Sequence, residues 1–243
     1  MPSAPTLIVI CGPTAVGKTK FAIDLAKEFN ADILSADSRQ FFKELSIGTA
    51  KPTEDELNQV KHHFISNKSI REDYNANDFE YEVLDFLESY FSTNSFAILC
   101  GGSGMYINAV CDGFDTEVPD PDHELRAELH HELEEKGITA LQEKLLKLDP
   151  QFYQEVDLNN SKRLLRAVEV CLITKKPYST IRRGEKKKRP FRIIKVGLEM
   201  DRQSLYDRIN QRVDIMMQNG LLEEVKSVSK FKTTNALNTV GYK

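Results

Sequence analysis

The stretch Gly12-Pro13-Thr14-Ala15-Val16-Gly17-Lys18-Thr19 leaves this chain few folds to choose from. It satisfies every fixed position of G-x-x-x-x-G-K-[ST]. The apolar run Leu7-Ile8-Val9-Ile10-Cys11 precedes it, and a helical pattern from Lys18 (Phe21, Ala22, Leu25, Ala26, Phe29) follows. A strand, a glycine loop and a helix in that order make a phosphate cradle. The glycines let successive backbone N–H groups turn inward, and the helix presents its positive end to the same point. Lys18 is placed to reach a terminal phosphate, and the Thr19 hydroxyl to ligate Mg²⁺, the one cofactor expected. The loop reads phosphates without saying what carries them.

Beyond the loop, the spacing predicts a short strand over residues 31–36, ending at Asp37-Ser38-Arg39-Gln40. A turn-rich segment, Ile47-Gly48-Thr49-Ala50-Lys51-Pro52, follows, then a helix opening at Thr53 with Glu56 completing a capping box. Residues 62–65 read as a short buried stretch. Asn77 or Asp78 is expected to cap a helix bearing Phe79, Val83, Phe86, Leu87 and Tyr90 on one face. Residues 96–100 form a strand closed by Gly101-Gly102-Ser103-Gly104, with a helix to about Cys111. Strands alternating with helices imply a parallel sheet with helices on both faces. Ligands of such sheets sit beyond the carboxyl ends of the strands. Thr14, Asp37 and Ser103 each follow a different strand, so they are expected to share one site.

After Gly113 the pattern changes. Pro119-Asp120-Pro121-Asp122 is a stiff polar break, and residues 123–180 read wholly as helices. Strand character returns at residues 191–198, and helices over 205–217 and 221–231 are expected to complete the core. The fold class is therefore α/β: a P-loop-type parallel sheet core, residues 1–114 and 189–243, with a helical insertion at 115–188.

Charge is segregated inside that insertion. Residues 120–136 hold seven Asp or Glu against two Lys or Arg, whereas residues 162–195 hold thirteen Lys or Arg against two acids, Glu169 and Glu185. Lys162, Arg163, Arg166, Arg182, Arg183, Lys186, Lys187, Lys188, Arg189 and Arg192 belong to the basic stretch. In a chain of net charge −4, such a stripe is an electrostatic footprint for nucleic acid, the plain alternative being a solvated face. No apolar run approaches the ~20 residues of a membrane span, and Met1-Pro2-Ser3-Ala4-Pro5 lacks the basic start of a signal peptide. A cytoplasmic monomer with no membrane partner is expected. Cys11, Cys100, Cys111 and Cys171 form no C-x-x-C pair and read as reduced thiols, Cys11 and Cys100 as buried ones. The His62-His63 and His130-His131 pairs lack zinc spacing, so no transition metal is expected.

Taken in order along nearly the whole chain, these stretches resemble the tRNA dimethylallyltransferases, also called tRNA isopentenyltransferases. The resemblance rests on the glycine loop, Ala36-Asp37-Ser38-Arg39-Gln40, the segment from Ile47 to Pro52, His62-His63-Phe64-Ile65 and Gly101-Gly102-Ser103-Gly104-Met105-Tyr106. It extends through Leu125-Arg126, Asp149-Pro150, Arg163-Leu164-Leu165-Arg166-Ala167-Val168-Glu169-Val170 and Val240-Gly241-Tyr242-Lys243. Ser103 stands where the family more often has Thr. Family members continue past Gly-Tyr-Lys with further helices, so the resemblance implies that this chain is C-terminally truncated.

The resemblance implies transfer of a dimethylallyl group from its diphosphate to N6 of the adenosine 3′-adjacent to the anticodon of a tRNA, releasing diphosphate. Residues 12–19 would hold the diphosphate rather than ATP. Lys18, Thr19 and Mg²⁺ would stabilise the departing charge, and Asp37, with Ser103 beside it, would act on the adenine amine. Asp37 has a competing role as a structural or Mg²⁺-binding acid. Ser38, Arg39 and Gln40 would hold the RNA, with Gln40 reading a base edge. Arg126 and the run Lys162, Arg163, Leu164, Leu165 and Arg166 would grip the anticodon stem-loop. Arg126, Arg208 and Arg212 stand as candidates for either the diphosphate or the RNA. The rivals are a P-loop small-molecule kinase, which would turn over ATP with a small acceptor, and a non-catalytic RNA-binding module. A kinase has no need of the basic stretch, and a pure binder has no need of an intact loop.

Overall fold

The structure, a computed structural model, describes residues 4–115, 118–182 and 184–242. Met1, Pro2, Ser3, Arg183 and Lys243, which entered the sequence reading, lie outside the described residues. Two compact units form, one from Met1–Gly113 with Lys188–Lys243 and one from Phe114–Lys187. The first contains β1 (Thr6–Cys11), α1 (Lys18–Phe29), β2 (Ile33–Ser35), α2 (Glu54–Gln59), β3 (His62–His63), α3 (Ala76–Tyr90), β4 (Phe96–Cys100) and α4 (Gly104–Asp112). The second is α5 (His123–Lys136), α6 (Ile138–Leu148), α7 (Pro150–Glu155), α8 (Ser161–Thr174) and α9 (Tyr178–Ile181). The chain then returns to the first unit with β5 (Arg192–Gly197), α10 (Arg202–Gln218) and α11 (Leu221–Val228).

The sheet runs β3-β2-β4-β1-β5 with every pairing parallel. Apart from Thr6 and Ser35 at strand ends, its central strands are apolar because both faces are covered. Ile8, Ile10, Ile33 and Ile98 meet Ala22, Ile23 and Ala26 of α1. The alternate residues Leu7, Val9, Leu34 and Leu99 are wholly buried as well, as are Phe79, Val83 and Leu87 of α3 and Val110 of α4, two helices packed on each other. The expected capping box at Thr53 forms with Glu56. The cap of α3 falls earlier than expected. Asn75, not Asn77 or Asp78, accepts from two helix N–H groups, and Asp78 answers at the Asn75 N–H.

Two departures bear on function. His62 and His63 form a parallel edge strand, too short to show any period in sequence. His63 Nε2 lies 2.7 Å from Asp32 Oδ2. The second departure is α10, expected to complete the core, which has no buried residue. Its half-buried side is Leu205, Ile209, Arg212 and Met216, at helical spacing. An arginine therefore sits in the middle of the only face α10 packs with.

In the helical unit, Leu129, Leu141, Leu145, Phe152, Leu164, Leu165, Ala167 and Val168 make one cluster. The Asp149-Pro150 pair has a local reason. Pro150 opens α7, where a missing N–H costs nothing, and Asp149 caps it at Phe152 N (3.0 Å). The same buried carboxylate accepts from Ser179 N and Oγ, which seats α9.

Candidate active site

The glycine loop joins β1 to α1 as the spacing predicts. Gly12 takes φ 148°, and a Cβ there would stand 2.6 Å from the Leu198 carbonyl oxygen, so no other residue fits between loop and the end of β5. Gly12, Pro13, Thr14, Ala15, Gly17, Lys18 and Thr19 line a cavity of about 900 Å³. Val16 does not line it; this side chain is buried beneath the loop. Lys18 Nζ donates to the Gly12 and Pro13 carbonyls at 2.9 and 2.8 Å, which holds the ammonium at the loop. Burial lowers the Lys18 pKa, and the neighbouring Cys100 and Asp37 oppose that shift.

The loop after β2 forms the opposite wall. Asp37, Ser38, Arg39 and Gln40 line the same cavity, as do Gly101, Gly102 and Ser103 after β4. Thr14, Asp37 and Ser103 thus meet at the carboxyl ends of three parallel strands. Asp37 Oδ1 accepts from Arg39 N (3.0 Å), and the Ser103 hydroxyl accepts from Ser38 N (2.8 Å). Lys18, Arg39 and Arg212 each feel the Asp37 charge, so the carboxylate stands among cations. Cys100, at the end of β4, is half-buried rather than fully buried, and burial pushes its thiol up to about 12.

Gln40 takes a different part from the one expected of it. Its Oε1 accepts from Ser35 Oγ (3.0 Å), and Nε2 donates to the Thr49 and Ala50 carbonyls (3.2 and 3.1 Å). With both ends of the carboxamide engaged, Gln40 braces the wall and does not offer a base-reading edge. Sequence reading also undervalued α10. Arg212 Nη1 reaches Thr14 Oγ1 at 3.2 Å, and Arg208 and Arg212 both line the cavity. Their i, i+4 spacing, just beyond a strand end, was the available signal. Thr49, Ala50 and Val240, from two of the stretches that carry the resemblance, also line it, as do Glu56 of the capping box and Gln211 and Thr239, which no motif marks.

One hydroxyl, one nearby carboxylate and the oxygens of a bound diphosphate form a donor set that suits Mg²⁺, which takes few protein ligands and prefers phosphate and water. Thr19 and Asp37 on one cavity fit that description.

The remaining candidates belong to the helical unit and divide sharply. Lys162 and Arg163 are exposed on the first turn of α8, whereas Leu164 and Leu165 are buried in its core, which removes their side chains from any surface contact. Arg126 Nη2 and Arg166 Nη1 both lie 2.7 Å from Oε2 of the buried Glu169. Arg166 Nη2 also donates to Pro119 O, and Glu169 Oε1 accepts from Asp122 N. These two arginines close the stiff segment at residues 119–122 onto α8. In the core unit, Arg189 is buried too, paired with Glu80 at 2.8 Å and donating to the last carbonyls of α4. The basic stretch is therefore not one face.

Removing the shared carboxylate tests that assignment. Glu169→Ala is expected to lower stability by about 3 kcal/mol, because two guanidiniums lose their buried counter-ion. Arg126 and Arg166 retain 34% and 26% side-chain exposure, which keeps the cost near the lower end of the range for broken buried pairs. Urea unfolding of the chain measures it, and a loss below about 1 kcal/mol would mean that water replaces the pair.

Comparison with known proteins adds relatives to this geometry. The family model described as IPP transferase matches residues 40–243. A tRNA dimethylallyltransferase of Flavobacterium johnsoniae is 51% identical over 243 residues, covering 98% of this chain and 78% of the relative. The tRNA dimethylallyltransferase 1 of Bacteroides thetaiotaomicron is 48% identical over 239 residues, 98% of this chain and 77% of the relative. A crystal structure of full-length tRNA isopentenylpyrophosphate transferase from Bacillus halodurans superposes with a TM-score of 0.66 at 35% identity, covering 98% of this chain and 75% of that one.

Proposed function

The chain belongs to the IPP transferase family, the tRNA-prenylating enzymes, and on that premise we propose how its own residues carry the transfer of a dimethylallyl group from dimethylallyl diphosphate to N6 of the adenosine 3′-adjacent to the anticodon. The observation that carries the reading is one cavity holding the phosphate loop, two α10 arginines and Asp37.

The diphosphate lies against the loop amides, the start of α1 and Lys18, with Arg212 and Arg208 closing over it from α10. Thr19 would hold Mg²⁺, which when bound supplies further neutralisation of the diphosphate oxygens. As the bond between C1 of the dimethylallyl group and the diphosphate oxygen breaks, its electron pair leaves with the diphosphate. The cations around the loop gain most from that charge, so they stabilise the transition state more than the ground state. The adenine amine is a poor nucleophile because its lone pair is delocalised into the ring. Asp37 accepts the N6 proton as the N6–C1 bond forms, and the product is the prenylated base plus diphosphate. The Asp37 carboxylate is pre-aimed by Arg39 N, and Ser103 steadies the adjoining Ser38 amide. The target adenine leaves its stack to enter the cavity, as it must for any chemistry on an exocyclic amine.

On the helical unit, Lys162 and Arg163 contact RNA phosphates of the anticodon stem-loop. Neutralising both as Lys162→Ala and Arg163→Ala is expected to weaken tRNA binding while dimethylallyl diphosphate binding stays within twofold. Each lost phosphate contact should also flatten the dependence of log K on log salt by about 0.7–0.9. A parental affinity with an unchanged slope would make this turn of α8 solvated surface.

The direct test is mass spectrometry of nucleosides from tRNA incubated with the protein, dimethylallyl diphosphate and Mg²⁺. Gain of one C5H8 on adenosine is the expected result. ATP turnover with a small acceptor and no modified nucleoside would favour a kinase instead.

A further inference from the structure

The wall that carries Thr49 and Ala50 into the cavity is tied down from two sides. Gln40 holds their carbonyls, as described above. From the other side comes Glu224 of α11, about 177 residues away in sequence. Its carboxylate accepts from three consecutive backbone N–H groups: Ser46 at 2.9 Å, Ile47 at 2.9 Å and Gly48 at 3.1 Å. Such a run of converging amides is a receptor for an anion, here a side chain of the same chain. The Tyr242 hydroxyl donates to Oε1 of the same carboxylate. Burial disfavours its charge, yet Tyr242 and the three amides outweigh burial and leave the Glu224 pKa below its ordinary value.

Tyr242 is itself seated by close packing. It is buried among Phe42, Leu45, Val228 and Leu237. A Cβ on Gly48 would come within 2.6–2.8 Å of its ring and hydroxyl, so only glycine lets the two approach. Just before Tyr242, Thr239 and Val240 line the cavity, and Asn238 O accepts from Arg39 Nη2 at 3.3 Å. One carboxylate therefore joins two separate edges of the site, neither of which it touches a ligand through.

We propose that Glu224 is a positioning residue for the transfer: by binding the amides of residues 46–48 and the Tyr242 hydroxyl, it fixes both the Thr49 and Ala50 wall and the Thr239 and Val240 edge of the cavity. The effect on transfer rests on the function proposed above; the effect on the walls does not. Glutamine at this position keeps the size of the side chain but offers one acceptor oxygen in place of two. Its amide group then faces N–H donors, and at least one of them loses its partner.

The experiment uses the full chain with Glu224→Gln and, separately, Gly48→Ala, which pushes on Tyr242 without altering the carboxylate. Amide hydrogen exchange at Ala50 and Thr239, whose N–H groups donate to Ile47 O (3.0 Å) and Leu237 O (2.8 Å), is expected to speed up about tenfold or more in both variants, with the glycine loop unchanged. In single-turnover transfer with dimethylallyl diphosphate and tRNA, the rate at saturation should fall by at least about tenfold while dimethylallyl diphosphate affinity stays within twofold. Should either variant fail to fold, Tyr242→Phe, which removes one hydroxyl, reads the same quantities. Unchanged exchange at those two amides overturns the proposal whatever the transfer assay gives. Faster exchange with a parental saturated rate overturns it also, since Glu224 would then serve stability alone. If the parent modifies no tRNA but the exchange pattern appears, the function reading fails and the structural role of Glu224 stands.

Discussion

Lys18→Ala is expected to slow transfer by about 10²–10³-fold, the usual cost of removing one preorganised charge from a site where negative charge develops. The ammonium is held by two loop carbonyls at 2.9 and 2.8 Å, so it is already in place before charge moves to the diphosphate. Because that charge grows as the bond to carbon breaks, the loss should fall on the saturated rate as well as on diphosphate affinity. The fold should survive. Lys18 opens α1, alanine is a better helix former, and the Gly12 and Pro13 carbonyls lie where water can replace the ammonium. Single-turnover rates at saturating substrate, with circular dichroism to confirm folding, measure the effect. A folded Lys18→Ala protein with parental kinetics would remove the loop from the chemistry.

For Asp37→Asn, the expected result is a rate reduced by about 10²–10⁴-fold with both substrate affinities within a few-fold of the parent. Asparagine has the same shape and can still accept from Arg39 N and from the adenine amine. It cannot take a proton. Asp37 shares its cavity with Thr19, which gives it a second candidate role, that of a Mg²⁺ ligand, and the two roles separate cleanly. A metal ligand lost should lower diphosphate affinity and recover as Mg²⁺ is raised; a general base lost should do neither. Single-turnover transfer across a Mg²⁺ series decides between them. A rate near the parent's at ordinary Mg²⁺ would take Asp37 out of the mechanism.

Much of this site was legible along the chain because its parts are local. The turn at Gly12, the start of α1 at Lys18 and the capping box at Thr53 each depend on residues within a few positions of one another. The apolar runs at β1 and β4 told of strands buried on both faces, and a parallel sheet gathers its loops at one end. That is enough to bring Thr14, Asp37 and Ser103 together without seeing any contact. The edge strand at His62 and His63 was not legible, since two residues have no periodicity, and its pairing with Ile33 and Leu34 is a decision of the sheet.

What only the tertiary structure decided is which polar groups are spent on one another. Gln40 looked available to a base, yet its carboxamide is consumed by Ser35, Thr49 and Ala50. Arg126 and Arg189 counted as positive charge in the sequence, yet each answers a carboxylate on a separate helix, 43 and 109 residues away. α10 read as a core helix, but it keeps its apolar residues half in water and lays Arg212 against Thr14. Glu224 carried no signal at all, being an ordinary acid in the first turn of a helix. The physical reason is common to all of them. Backbone conformation and hydrophobic period are set by near neighbours and can be read one window at a time. A buried polar group must find its partner wherever the fold brings one, and that pairing exists only once distant segments have met.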